Sequence, residues 1–370
     1  MTERLLDIDH LKVSFRTEEG VVQAVDDVSF SLERGELVAI VGESGSGKSV
    51  TAMTLLGLTR GPNASFSGHV TLGDLDLLEA SESVLQRVRG KRVAMIFQDP
   101  MTALNPVHRI GDQIVEQIRT HESITKGAAN DRAIELLQRV GIPHARDRVR
   151  SFPHEFSGGM RQRVMIAMAL SCSPEVLIAD EPTTALDVTI QAQILAEIDS
   201  LRHETGVGVL LITHDLGVVA DVADRVVVMY AGRVVEQGGL SEIFYNPLHP
   251  YTWGLLGSVP RVDKERPGRL PTIAGNPPSL LHPPSGCHFR PRCPWSFESC
   301  TQVPELVSED EASPGHLNRC FLPLGAKRTR RVVGDAIGLP VIADVADGAR
   351  VVAPDVRTDS DNAVNVEETT

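Results

Sequence analysis

At 370 residues and 42% hydrophobic composition, the chain has material for one large domain and a smaller one. Its 36 basic against 49 acidic residues leave a formal charge of −13, which opposes loose binding to nucleic acid or anionic lipid, and 4% aromatic residues are too few for base-stacking platforms. The opening MTERLLDIDH carries acidic residues and no apolar leader core, and no run approaches the roughly 20 apolar residues of a spanning helix, so the expectation is a cytoplasmic chain that meets a membrane only through partners.

The first predicted strands are LLDIDHLKVSF (Leu5 to Phe15), DVSFSL (Asp27 to Leu32) and GHVTL (Gly68 to Leu72), where β-branched residues alternate or cluster between Gly- and acid-rich turns. They bracket VGESGSGKSV, in which Gly42, Gly45, Gly47, Lys48 and Ser49 fit G-x-x-x-x-G-K-[ST] at every fixed position. Glycines there let backbone N–H groups close on phosphate oxygens, and a helix starting near Gly47 adds its positive end. Lys48 reaches the terminal phosphates, the Ser49 hydroxyl ligates their Mg²⁺, and Glu43, Ser44, Ser46 and Val50 complete the cradle. A chance glycine-rich turn is the alternative. It is opposed by context, because the buried-strand run ELVAIV precedes the motif and the helically spaced SVTAMTLLGL follows it.

After the strand VAMIF (Val93 to Phe97), Ile110, Ile114, Val115 and Ile118, then Ile134, Leu137 and Val140, recur at helical spacing, which predicts a helical subdomain over about 99–160. Alternation resumes with VLIAD (Val176 to Asp180), a helix around Val188 to His203, VGVLLIT (Val207 to Thr213) and RVVVMY (Arg225 to Tyr230). Short all-apolar strands separated by helices predict a parallel α/β sheet covered on both faces. Asp180 and Glu181 end such a strand, where open α/β sheets bind ligands: Asp180 suits the Mg²⁺ shell, and Glu181 suits polarising a water for in-line attack. Alone, the pair reads equally as helix caps.

Past Asn246 the text becomes proline-rich, and NPPSLLHPPSGCHFRPRCPW is too broken for long helices or central strands, so a separate loop-rich appendage is expected. From about Leu324 the chain lacks sustained periodicity and ends in DVRTDSDNAVNVEETT, an expected disordered acidic tail whose runs RRVVG and ARVVA are candidate strands.

EFSGGMRQRVMIAMAL, with Ser157, Gly158 and Gly159 at a helix start, is an anion site by itself and resembles the signature motif of ATP-binding-cassette ATPases. Four further positions match that family in order: Phe15 as the aromatic that stacks on adenine, Gln98 in MIFQDP, Asp187 in ALD and His214 in ITHD. Taken singly, each has a bland reading as core, turn, cap or structural histidine. The resemblance covers about 5–240 and implies a P-loop NTPase of cassette type, with an antiparallel β subdomain and a helical subdomain on a parallel-sheet core. It implies Glu181, His214 and Gln98 as catalytic and Ser49, Gln98 and Asp180 around Mg²⁺. It also implies Asp187 as a nucleotide-binding residue and two cassettes dimerised head to tail, so that Ser157 and the glycines of one face ATP on the other. Phe156 and Met160 depart from the commonest signature, which has leucine and glutamine there, and leave the serine and glycines intact.

Longer strings, among them MIFQDPMTALNPVHRIGDQI, ADEPTTALDVTIQAQIL and NPLHPYTWGLLGSVP, resemble ATP-binding subunits of oligopeptide/dipeptide importers over about 5–323. That implies a cassette over 1–245, an appendage over 246–323 and a tail over 324–370. It implies as partners a second, paralogous ATPase, two transmembrane permeases contacted from Gln98 through the helical subdomain, and an extracytoplasmic peptide-binding protein, with no nucleic acid, at the cytoplasmic face of the membrane. Nickel-uptake ATPases share much of this text. A non-transport cassette acting on ribosomes or DNA is the reading from another class; such chains commonly carry two cassettes, and one phosphate loop stands here. A phosphotransferase should lack Ser157-Gly158-Gly159 and His214.

Of five cysteines, Cys172 in an apolar helix reads as core packing, while Cys287, Cys293, Cys300 and Cys320 stand in the appendage, too small for a sufficient core. Disulfides are disfavoured in a cytosolic chain, and the spacing fits neither paired C-x₂-C zinc sites nor the ferredoxin run. The family resemblance implies a [4Fe–4S] cluster on these four; zinc and reduced structural thiols stay open beside it.

Overall fold

Strands β3 (Leu37–Val41), β6 (Val93–Ile96), β7 (Val176–Asp180), β8 (Gly208–Thr213) and β9 (Arg225–Tyr230) run parallel in the order β9-β3-β8-β7-β6, as their apolar runs predict. The structure is a computed structural model that describes residues 3–99, 103–183, 188–258 and 273–330. Every residue of β3, β7 and β8 is buried, which explains why these strands show no polar alternation. The two-residue period appears instead as a division between two cores. Leu37, Ala39 and Val41 face the helical side with Leu177 and Val209, whereas Val38 and Ile40 face the other side with Ile178 and Leu210. Each such Val, Leu or Ile stabilises the fold by roughly 1.5–3 kcal/mol.

On the helical side lie helices Ile110–His121, Lys126–Arg139 and Gly158–Ala169, with Ile110, Ile114, Ile118, Leu137 and Val164 fully buried. The helical layer runs past the expected end near 160, to Ala169. The other core is closed by helix Lys48–Leu55 and an antiparallel sheet of β1 (Arg4–Thr17), β2 (Gly20–Glu33), β4 (Ala64–Leu72) and β5 (Leu75–Asp76), ordered β2-β1-β4-β5. The chain therefore has a parallel-sheet core, an antiparallel β subdomain and a helical subdomain.

β10 (Arg233–Gly239), which periodicity did not mark, returns antiparallel on β9. From the cysteine-bearing segment, β11 (Val307–Ser308) and β12 (Leu317–Asn318) extend the same sheet, with Gln237 opposite Leu317. After helix Pro250–Gly257, the described residues of the proline-rich stretch supply only the 3₁₀ turns Arg290–Arg292 and Glu298–Thr301 before β11. The tail expected to be disordered from 324 begins instead with helix Leu324–Arg330. Its Lys327 is fully buried, and Nζ bonds both Glu309 oxygens (2.8 and 2.7 Å), Asn318 Oδ1 (2.6 Å) and the Cys320 carbonyl (3.1 Å). An ammonium with that many acceptors specifies its place, and composition does not reveal them. The acidic end and both valine runs lie outside the described residues, apart from the leading Arg330 of RRVVG.

Candidate active site

Parallel pairing sets Val41 beside Thr213 and Asp180 beside Ile212, so the loops leaving β3, β6, β7 and β8 emerge together at the carboxyl edge of the sheet. The loop after β3 contains Gly42 to Ser49. A Cβ on Gly42 would stand 2.1 Å from the Met229 carbonyl oxygen, and one on Gly47 2.5 Å from that of Ala24, so β9 and β2 press on the loop at both ends. Gly45 has φ 77° with no atom within 4 Å of its missing Cβ, leaving that side of the loop open. Ser46 Oγ is buried without a hydrogen-bond partner among the described atoms, although the Ser46 carbonyl accepts Gly232 N–H at 3.0 Å. An orphaned hydroxyl in a glycine cradle fits a phosphate-oxygen partner.

Lys48 is 6% exposed and folds back over the loop, Nζ donating to the Gly42 carbonyl at 2.8 Å and the Glu43 carbonyl at 3.0 Å. Burial pushes its pKa down, against the pull of Glu181, Asp180 and Glu43. Ser49 Oγ donates to Asp180 Oδ1 at 3.1 Å, which places two of the three expected Mg²⁺ ligands side by side. Burial, opposed by the Ser49 bond and reinforced by the Glu181 charge, raises the Asp180 carboxyl above its usual range. Paired hard oxygens of that kind fit a divalent cation.

Glu181 turns out of β7 with φ 46°, a left-handed conformation that costs a non-glycine residue about 1–3 kcal/mol. The turn aims its carboxylate across the strand ends, where one oxygen accepts the Gln98 amide at 3.0 Å and the other lies 3.2 Å from His214 Nδ1. Gln98, Glu181 and His214 thus meet from three loops. Val50 follows Ser49 in the first turn of the loop's helix, and Ser44 is exposed on the loop. Phe15, half-buried on β1, pairs with Val22, two residues before the Ala24 that abuts Gly47.

Ser157 caps helix Gly158–Ala169, its Oγ accepting Met160 N–H at 3.3 Å. It and Gly158 are exposed, and a Cβ on Gly158 would meet nothing within 4 Å, so nothing else in the described chain requires glycine there. Asp187 lies outside the described residues.

Two residues that sequence reasoning missed complete the loop. Tyr251 Oη accepts the Glu43 backbone N–H at 2.8 Å, and Arg292 donates Nη1 and Nη2 to the Glu43 carboxylate at 2.6 and 3.0 Å. Tyr251 stands in NPLHPYTW, a string that marked the family, and Arg292 in the proline-rich FRPRCP, but no local spacing shows that residues 208 and 249 positions away reach the loop.

Cys287, Cys293, Cys300 and Cys320 line one small cavity beside His249 and Trp295, with about 10 Å³ open to a water-sized sphere, room for roughly one water. Burial pushes the thiols up, Cys293 to about 11 and Cys320 to about 12, and Cys287 upward likewise. Among the described residues, no three His, Cys, Asp or Glu side chains stand at metal-holding separation, so a centre here requires the sulfurs to draw together. Four thiols on one cavity nevertheless form a soft donor set. Cys172 is apart from them, buried in the helical-side core.

Residues 25–184 match the family model described as ABC transporter, and 235–300 that of the oligopeptide/dipeptide transporter C-terminal region. The oligopeptide transport ATP-binding protein OppD of Escherichia coli (strain K12) is 50% identical over 322 residues, 87% of this chain and 94% of that protein. The dipeptide transport ATP-binding protein DppD of Bacillus subtilis (strain 168) is 51% identical over 321 residues, 86% of this chain and 95% of that protein. Among solved structures, the dimeric post-hydrolysis state of the ATP-binding cassette MJ0796 bound to ADP and Pi gives a TM-score of 0.58 at 25% identity, covering 64% of this chain and 98% of that one.

Proposed function

Because the chain belongs to the family of oligopeptide and dipeptide transport ATP-binding proteins, we propose that it is the ATP-hydrolysing subunit that energises peptide import by an ABC transporter at the cytoplasmic face of a membrane. The observation that carries this is the convergence of Gln98, Glu181 and His214 beside Lys48, Ser49 and Asp180 at one sheet edge.

In this reading the cradle from Gly42 to Val50 binds the polyphosphate, Lys48 exchanges its carbonyl partners for phosphate oxygens, and Phe15 stacks on adenine. Ser49, Asp180 and Gln98 would hold Mg²⁺, which when bound neutralises charge on the phosphates. Glu181 accepts the proton of the attacking water, and His214 fixes the Glu181 carboxylate and senses the γ-phosphate. Ser157, Gly158, Gly159 and Asp187 serve the site of a facing cassette, a role supported by the exposed Ser157 cap and the open space before Gly158. The facing cassette is a paralogous subunit, and an extracytoplasmic binding protein delivers the peptide. A groove of about 660 Å³ between Leu58, Phe97, His108 and Met168 is the seat for the permeases; Leu58 and Phe97 are exposed on it. The division into a cassette over 1–245 and an appendage over 246–323 belongs to the same reading.

We further propose that Cys287, Cys293, Cys300 and Cys320 hold a [4Fe–4S] cluster. Supporting this are their shared cavity and a soft donor set that can ligate once deprotonated and drawn together.

The test is uptake of labelled di- to pentapeptides by cells whose only copy carries Lys48→Ala. Loss of peptide uptake is expected. Intact peptide uptake with loss of nickel uptake would transfer the chain to metal import.

A further inference from the structure

A carboxylate in the first turn of an anion cradle is a liability. Glu43 follows Gly42 directly, its carbonyl is one of the two resting partners of the Lys48 ammonium, and its charge is felt by that ammonium. Left unpaired, it would repel a polyphosphate and compete for Lys48. The fold answers with a guanidinium from far along the chain. Arg292, 5% exposed at its side chain, grips both Glu43 oxygens in a two-pronged pair at 2.6 and 3.0 Å.

That guanidinium is held rigidly. Nε donates to the Ala274 carbonyl at 2.9 Å and Nη2 also to that of Ile273 at 3.2 Å, while Nη1 reaches Tyr230 Oη at 3.4 Å and the group lies 5.7 Å from the Tyr230 ring centroid. Its turn is in turn built on the cysteine cavity, since Arg290 N–H donates to the Cys287 carbonyl and Cys293 N–H to that of Arg290. With Tyr251 accepting the Glu43 backbone N–H, residue 43 is fixed at both ends by residues after 245.

We infer that Arg292 is a positioning residue of the nucleotide site: it neutralises Glu43 and holds the opening turn of the phosphate loop in the shape that receives MgATP. The inference rests on the ATP reading above. It makes the cysteine lobe part of the nucleotide site, because the residue that sets the charge of the loop stands on that lobe.

The experiment titrates purified full-length protein with a fluorescent ATP analogue and Mg²⁺ at low and high salt. Arg292→Met should weaken binding about tenfold, with the larger deficit at low salt where repulsion is least screened. Removing the anion as well, in Arg292→Met/Glu43→Gln, should restore affinity to within about threefold of wild type, and Arg292→Lys should retain most of it. A staple without an electrostatic role gives the opposite pattern, in which the double variant binds as weakly as Arg292→Met. That pattern, or Arg292→Met binding within twofold of wild type, overturns the inference. Should Arg292→Met not fold, Glu43→Gln decides alone: it keeps an acceptor for Arg292 and should bind at least as tightly as wild type, and binding more than about threefold weaker overturns the inference. Wild-type protein that does not bind the analogue would instead refute the ATP reading.

Discussion

Glu181 holds two loops with one carboxylate, His214 Nδ1 lying 3.2 Å from one oxygen and Gln98 Nε2 3.0 Å from the other. A glutamine at 181 keeps the size and can still bond both neighbours, but it cannot accept the proton of an attacking water. Glu181→Gln should therefore lower steady-state hydrolysis by roughly 10²- to 10⁴-fold while MgATP binding persists. Turnover within threefold of wild type rejects the role.

Gly42→Ala tests the cradle. The new methyl would lie 2.1 Å from the Met229 carbonyl oxygen, on central strand β9, where no flexible side chain can yield. Either the strand shifts or the loop opens, at a cost of about 1–3 kcal/mol or more. Thermal unfolding should move down and nucleotide binding should be lost. Wild-type affinity in this variant would mean that the loop is not held against β9.

Much of this site is legible in the sequence because its parts are local. Gly42 to Ser49, Asp180 with Glu181, and His214 each directly follow or end an apolar strand, and parallel strands bring their carboxyl ends together without further information. Arg292 and Tyr251 were not legible, since their function arises from a chain reversal that composition describes only as proline-rich. Helix Leu324–Arg330 was misjudged for the same reason: its stability comes from Lys327 meeting Glu309 and Asn318, not from its own pattern. β10 escaped because RVVEQGG mixes a buried glutamate with glycines, and Glu236 is satisfied only in three dimensions, by Leu248 N–H, His249 N–H and His316 Nε2.

Gly158→Asp separates fold from assembly. The position opens a helix into free space, where an aspartate favours the helix dipole, so the isolated chain should be as stable as wild type or slightly more so. In a facing cassette the same carboxylate would meet the γ-phosphate. ATP-dependent association and hydrolysis should fall together while ATP binding to the monomer is kept. Unchanged hydrolysis, or robust hydrolysis by a demonstrated wild-type monomer, would remove Gly158 from a composite site.

His249 couples stability to pH. It is buried, its pKa pushed down to about 3 from the ordinary 6.5 by burial first and by the Lys327 charge next, so it folds neutral. The unfolded chain takes up the proton below about pH 6.5, and the stabilisation present above that pH is lost progressively as pH falls towards 3. By pH 5 the loss is about 2 kcal/mol. His249→Asn retains an acceptor for the Tyr251 N–H that His249 Nδ1 now bonds, without a titrating ring. Denaturant unfolding at about pH 7 and pH 5 should show a drop smaller by about that amount in the variant. Equal drops would place the acid sensitivity elsewhere.

The cysteine cavity decides between iron–sulfur, zinc and bare thiols. Cys293 and Cys320, at about 11 and 12, are protonated near neutral pH, so any centre must displace protons and draw four sulfurs inward on a cavity that now has room for about one water. The segment has a reason to do so, for it is broken by prolines and turns, and its regular structure is limited to short strands and 3₁₀ turns. The role expected of such a centre is structural or regulatory, since nucleotide chemistry needs no redox change. Anaerobic purification should give brown protein with iron and sulfide near four each per chain. Cys320→Ser should bleach it and lower its melting temperature, while the same substitution at Cys172, in the core away from the cavity, should leave the colour. Colourless protein with stoichiometric zinc after anaerobic expression and cluster reconstitution would replace the cluster with a zinc staple, and protein that binds neither metal would leave four reduced thiols packed as they stand.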